Sequence, residues 1–289
     1  MNVHIVKGKD AYRSTRKLLE KLEFSQKNKK IFIKPNLTTS DSADSGVTTD
    51  VNVVRAILEK LKDCEVVIGE GSGVNTFEAF RANGYFELSE EFGAKLVDLN
   101  KDQIVIKKIP KPIRFKKLPF AKTVLDCEYI IDVAKLKTHS LAGVTLCLKN
   151  LFGTVVPRRN RVIVHPFISK AICDIAQIAK PQLNIVDGIV GNQLDEVRSN
   201  PISSEIVVGG YDALSADLVA CKCMGIDPEE IEHLSLAQTF FGKREIEVLG
   251  EKIEDVKRNY RRGKLITTML RYAGERVLGL VYKGATDWK

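Results

Sequence analysis

Lys34-Pro35-Asn36-Leu37, followed by Thr38 and Thr39, puts an ammonium and a carboxamide where the apolar run Lys30-Ile-Phe-Ile-Lys34 gives way to polar residues. In open α/β sheets ligands collect beyond the carboxyl ends of strands, so Lys34 and Asn36 there can meet an anion or a carbonyl. The same pair also reads as a solvated strand end and a turn residue. Gly69-Glu70-Gly71-Ser72-Gly73 follows a second apolar run and offers backbone amides around Gly71 and Ser72 for close approach to a phosphate or carboxylate. The third glycine of a dinucleotide fingerprint is missing, and Glu70 would repel a pyrophosphate unless a cation intervened. A plain turn is the competing reading.

The densest constellation runs from Lys135 to Asn150 and contains Lys137, Thr138, His139, Thr145 and Lys149. It follows an apolar run ending near Val133, so Lys137, Thr138 and His139 are expected at the same sheet edge as Lys34 and Asn36. Lysines there can hold an oxyanion while His139, whose free imidazole titrates near ~6.5, exchanges a proton close to neutral pH. Thr138, Thr145, Lys149 and Asn150 are candidate ligand contacts beside that pair. Arg158, in Pro157-Arg-Arg-Asn-Arg161, stands ahead of a predicted helix whose amino end favours anions. His165 supplies a second imidazole that can face His139 across a cleft. Asp187 ends another apolar run, where it can orient a lysine, act as a base or hold a divalent ion. Asp217 would contribute only if its helix starts at the cleft. A single carboxylate does not define a metal site, so no metal ligand is assigned.

Apolar spacing supplies the elements to position these groups. Strands are predicted at 30–34, 65–69, 94–98, 128–133, 183–187, 204–209 and, at an edge, 245–250; helices at 51–61 with Asp50 as cap, 77–84, 166–179 and 213–224. Asp227-Pro228 begins a further helix. This alternation predicts an α/β fold with a largely parallel sheet flanked by helices. Residues 101–122, rich in Lys and Pro, and the segment from Lys252 onward break the rhythm.

The chain has 289 residues, 44% hydrophobic and 28% charged, a balance that excludes a disordered or collagen-like chain and lies near the upper size for one core. A single α/β domain over residues 1–250 is expected, with 251–289 as a basic, partly helical extension. Ten basic against four acidic residues from Lys252 onward account for most of the net charge of +8. Ile266, Leu270, Ala273, Val277 and Val281 could form one apolar stripe there. The opening MNVHIVKGKD turns polar after six residues, and Leu265–Tyr282 carries Arg271, Glu275 and Arg276, so neither a leader nor a membrane span is predicted and the expected location is cytoplasmic. The six cysteines, scattered except for one C-x-C pair, read as reduced thiols.

Lys34-Pro-Asn-Leu, Lys135-Leu-Lys-Thr-His139, Gly143-Val-Thr, Leu148-Lys-Asn-Leu-Phe-Gly153, His165, Asp187-Gly-Ile and Gly210-Tyr-Asp-Ala with Asp217 together resemble the family catalogued as domain of unknown function 362, over residues 30–240. The resemblance implies a cytoplasmic prokaryotic or archaeal α/β protein of unsettled role, whose relatives often carry an iron–sulfur ferredoxin module. This chain lacks the ferredoxin cysteines, so no cluster is expected from it alone, and any cofactor is unknown. Where relatives tend to carry a glycine-rich turn after Asp187-Gly-Ile-Val-Gly, it has Gln193–Asn200.

Three functions follow in order. The first is an enzyme or enzyme-like subunit that binds a small carboxylate or phosphate with Lys and His as acid–base groups. The second is an accessory protein docking an iron–sulfur partner, as the resemblance implies. Nucleic-acid binding through the basic tail ranks last, because aromatics are only 7% and show no stacking pattern.

Overall fold

The computed structural model describes residues 1–263 and Val277. Among them the strands are β1 (Asn2–Lys7), β2 (Lys30–Pro35), β3 (Glu65–Glu70), β4 (Lys95–Asp98), β5 (Ile104–Lys108), β6 (Lys117–Ala121), β7 (Tyr129–His139), β8 (Gly143–Thr145), β9 (Leu183–Asn192), β10 (Pro201–Gly210) and β11 (Glu247–Gly250). The helices are α1 (Ala11–Lys21), α2 (Val51–Leu58), α3 (Thr76–Ala82), α4 (Tyr85–Phe92), α5 (Lys122–Leu125), α6 (Cys147–Asn150), α7 (Arg158–Val164), α8 (Ile168–Ala176), α9 (Ala213–Cys223), α10 (Glu232–Phe241) and α11 (Ile253–Val256).

One mixed sheet runs β11-β1-β10-β9-β7-β2-β3-β4, with β8 folded back on β7. The run β9-β7-β2-β3-β4 is parallel throughout, whereas β10 is antiparallel to both of its neighbours. The fold is therefore α/β with mostly parallel strands between helical layers. Alternate residues of each strand enter opposite cores, as the two-residue period of a strand requires. Ile131, Val133 and Ile185 pack with Leu18, Val53 and Phe80 on one face, and Ala134, Leu136 and Val186 pack with Ile172, Leu218 and Leu234 on the other.

Asp50 caps α2 by accepting from the Asn52 amide at 2.8 Å, as the sequence predicts. The helix predicted at 77–84 is α3, which ends at Ala82; Gly84, with a left-handed φ of 74°, then leads into α4, which the apolar spacing does not predict. The predicted helix at 166–179 begins with a 3-10 turn over His165–Phe167 and becomes α-helical only at Ile168. β11 lies at the sheet edge and pairs in parallel with β1. β1, α1 and the β5–β6 hairpin were not predicted, the hairpin because its lysines and Pro119 mask the alternation in the 101–122 stretch.

β7 continues six residues beyond its predicted end at Val133, so Lys137, Thr138 and His139 belong to the strand and not to a loop. Of the proposed tail stripe, Ile266, Leu270, Ala273 and Val281 lie outside the described residues, and Val277 is exposed. No helix of the described residues is long and apolar enough to cross a membrane.

Candidate functional site

The carboxyl ends of β2, β3 and β7 open into a cavity of about 300 Å3, lined by Lys34, Asn36, Gly71, Lys137, His139, Thr145, Lys149, Asn150, Arg158 and His165. Stretches more than a hundred residues apart thus meet at one rim, where five Lys and Arg side chains face two carboxylates, Glu70 and Glu196. The volume lies at the lower end of the range for small-ligand pockets.

Lys34 forms the floor, almost fully buried. Its ammonium donates to Glu70 Oε1 at 2.5 Å and to the Pro35 carbonyl at 2.9 Å. Glu70 in turn accepts from the Leu37 amide at 2.9 Å and from the Gly71 amide at 2.7 Å. The cation needed to relieve Glu70 is therefore Lys34, and the glycine loop is occupied by the protein's own carboxylate. Asn36 donates to Asn150 Oδ1 at 2.8 Å, and Asn150 donates to Asp132 at 2.7 Å, which ties β2 to β7 through α6. Burial raises the Asp132 carboxyl well above its ordinary range despite the nearby Lys34.

Two glycines are needed for this close packing. A Cβ on Gly153 would lie 2.7 Å from Glu70 Oε1 and 2.9 Å from Lys34 Cε, and one on Gly71 would lie 2.5 Å from the Gly153 carbonyl.

Lys137 is enclosed and donates to the carbonyls of Val47, at 2.7 Å, and Glu196, at 3.0 Å. Burial lowers its ammonium to about 7, with the charge of Glu196 opposing the shift and Lys149 and Lys135 adding to it. Lys149, half-buried above the Phe152 ring at 4.5 Å, is lowered to about 8 by burial, while Glu196 opposes and Arg161 and Lys34 contribute.

His139 Nδ1 accepts from the amides of Leu141, at 3.0 Å, and Ala142, at 3.2 Å. Two donors on one ring nitrogen leave the proton on Nε2. Burial, with Lys149, His165 and Lys137 adding to it, holds the imidazolium well below its ordinary range. His139 is thus a neutral hydrogen-bond donor, which corrects its expected exchange of a proton near neutral pH. His165 lines the same cavity, its Nδ1 donating to the Arg161 carbonyl at 2.6 Å and its ring edge-on to Phe152.

Three candidates stand elsewhere. Thr138 alternates away from Lys137 and His139 on β7 and does not line the cavity. Ser72, within the glycine loop, has its side chain buried away from the cavity, and its carbonyl accepts from Arg161 at 3.3 Å. Asp187 is also outside: it pairs with Lys135 at 2.8 Å and accepts from the Asp50 amide at 2.9 Å, orienting a lysine instead of meeting a ligand. Asp217 is fully buried and accepts from the amides of Cys147, at 2.7 Å, and Leu148, at 2.9 Å, so it anchors the first turn of α6.

Glu70, Glu196 and Arg161 were missing from the candidate ligand residues. Arg161 bridges Val155 O at 3.0 Å and Asn100 Oδ1 at 3.0 Å, and burial lowers its guanidinium to about 10. Glu196 comes from the Gln193–Asn200 segment and accepts from the Ser140 amide at 2.9 Å. Its signal in the sequence is the acidic pair Asp195-Glu196 that follows the strand ending in Gly191-Asn192. Among the described residues, no group of three or more His, Cys, Asp or Glu side chains is placed to hold a metal ion. The six cysteines are free thiols.

A buried basic cavity at the carboxyl ends of parallel strands defines an α/β protein with a built polar pocket. The chain belongs to the family described as Domain of unknown function (DUF362), whose model matches residues 31–222. A thylakoid-associated protein of Synechocystis sp. is 24% identical over 233 residues, 75% of this chain and 71% of its own length. The lactate racemase apoprotein from Thermoanaerobacterium thermosaccharolyticum aligns with a TM-score of 0.44 and 14% identity over 78% of this chain. This chain spans 57% of that protein, and a likeness of this size carries no argument about chemistry.

Proposed function

We propose that the protein is an enzyme that binds a small carboxylate or phosphate in the 300 Å3 cavity and moves a proton on it. The observation that carries this reading is the setting of Lys137. A neutral amine has two N–H bonds, and the Val47 and Glu196 carbonyls accept both, which leaves the lone pair as the remaining substituent. With its ammonium lowered to about 7, Lys137 serves as a general base at neutral pH and returns the proton as a general acid.

The Nε2–H of neutral His139 donates to the substrate oxygen on which negative charge develops, a role suited to an imidazole that does not ionise. Lys149 and Arg158 hold the anionic group, and Thr145, buried with no hydrogen-bond partner for its hydroxyl among the described residues, adds a neutral contact.

Thermal unfolding with inorganic phosphate and a panel of small mono- and dicarboxylates tests the reading. At least one of these should raise the melting temperature of the wild-type protein, and the rise should disappear in the Lys149→Ala/Arg158→Ala double variant. The reading fails if no member stabilises the protein, or if the double variant responds undiminished. For a member that binds, loss of a substrate C–H signal in D2O by NMR should require Lys137.

Two parts of the proposal rest on the family resemblance. Cytoplasmic residence is one, and fractionation decides it against the thylakoid association named for the Synechocystis relative. Work beside an iron–sulfur protein is the other, and iron in complexes purified with native partners decides it.

A further inference from the structure

Behind α6 lies a second cavity, of about 450 Å3, that shares no lining residue with the first. Its walls are largely apolar, with Leu148 and Leu151 on the α6 side facing Leu214, Phe240 and Phe241. Its charged groups are the mostly buried pair Asp212 and Arg244 and the exposed Lys111 and Lys180. Arg244 donates to Asp212 at 3.1 Å and to the Phe241 carbonyl at 2.8 Å, so the one carboxylate of the lining is already paired. Lys111 and Lys180 are exposed, and neither ammonium meets a carboxylate among the described residues. Gln177 fixes the Lys111 backbone at the rim with two hydrogen bonds of 2.9 Å, to its amide and its carbonyl.

We propose that this cavity binds a small amphipathic carboxylate, a free medium-chain acid, with its acyl body against Leu148, Leu151, Leu214 and Phe241 and its carboxylate at Lys111 and Lys180. The apolar walls reward buried methylenes, which a wholly polar anion lacks. Two unpaired cations at the mouth select a negative head group. A pocket of this size that joins apolar walls to a small set of charged groups is an ordinary setting for such a ligand.

Isothermal titration calorimetry with sodium decanoate below its micelle concentration tests the proposal without reference to the first cavity. The wild-type protein should give saturable one-site binding. Lys111→Glu/Lys180→Glu, which alters only exposed side chains, should weaken it at least tenfold, and Ala213→Trp, which adds an indole to the lining, should abolish it. Absence of saturable heat overturns the proposal, as does binding that is unchanged in the charge-reversed variant while its melting curve matches the wild type. Sedimentation with phosphatidylglycerol vesicles and no decanoate heat would overturn it in favour of a membrane surface.

Discussion

Lys137 and Asp217 are both enclosed, and burial pushes their titrations towards each other, the ammonium down to about 7 and the carboxyl up to about 7. Between about pH 4 and 7 the folded chain keeps a proton on Asp217 that the unfolded chain has released, so this contribution to stability falls as pH rises. From about pH 7 to 10 the unfolded chain keeps the proton on Lys137 that the folded chain has lost, so stability rises again. Urea unfolding near pH ~5, ~7 and ~9 should show Asp217→Asn removing part of the fall and Lys137→Met flattening part of the rise. Gly153→Ala tests the tightness of the Lys34–Glu70 floor. Its methyl group would lie 2.7 Å from Glu70 Oε1, so the variant should lose about 1–3 kcal/mol in the same assay.

At the scale of elements, the site depends on β7 running on to His139 and on the 193–200 segment covering it. Glu196 raises the proton affinity of Lys137, His139 and Lys149. Sulfate, doubly charged throughout this range, should therefore bind more weakly as pH rises through 7 to 8, where Lys137 and Lys149 lose their protons. Glu196→Gln should move that loss to lower pH, which equilibrium titrations across pH can measure.

Apolar periodicity located β2, β3, β9 and their rim, because each contributes a nearly continuous buried run, and it found β4 from the short apolar pair Leu96-Val97 although that edge strand is only partly buried. It stopped β7 at Val133, because Lys-Leu-Lys-Thr-His reads as polar although carbonyls and backbone amides satisfy Lys137 and His139 inside the protein. Thr138 was misplaced for the same reason: inside a strand, neighbours face opposite ways. Glu196 was missed because a carboxylate in a polar segment carries no period at all.

Across the whole molecule, the sheet joins distant parts of the chain. β1 stands between β10 and β11, its Val3 opposite Gly210 on one side and Val248 on the other. Removing residues 1–9 should leave the β10 edge open and β11 without its partner, so size-exclusion chromatography should show aggregated protein in place of the wild-type peak.

The single turn of α6, hung from Asp217, has Lys149 and Asn150 facing one hollow and Leu148 facing the other. A guest on either side that tilts this turn changes the welcome on the other. Reciprocity then requires the acid to alter sulfate affinity by the same factor that sulfate alters the acid's, so one short helix would act as a two-way lever.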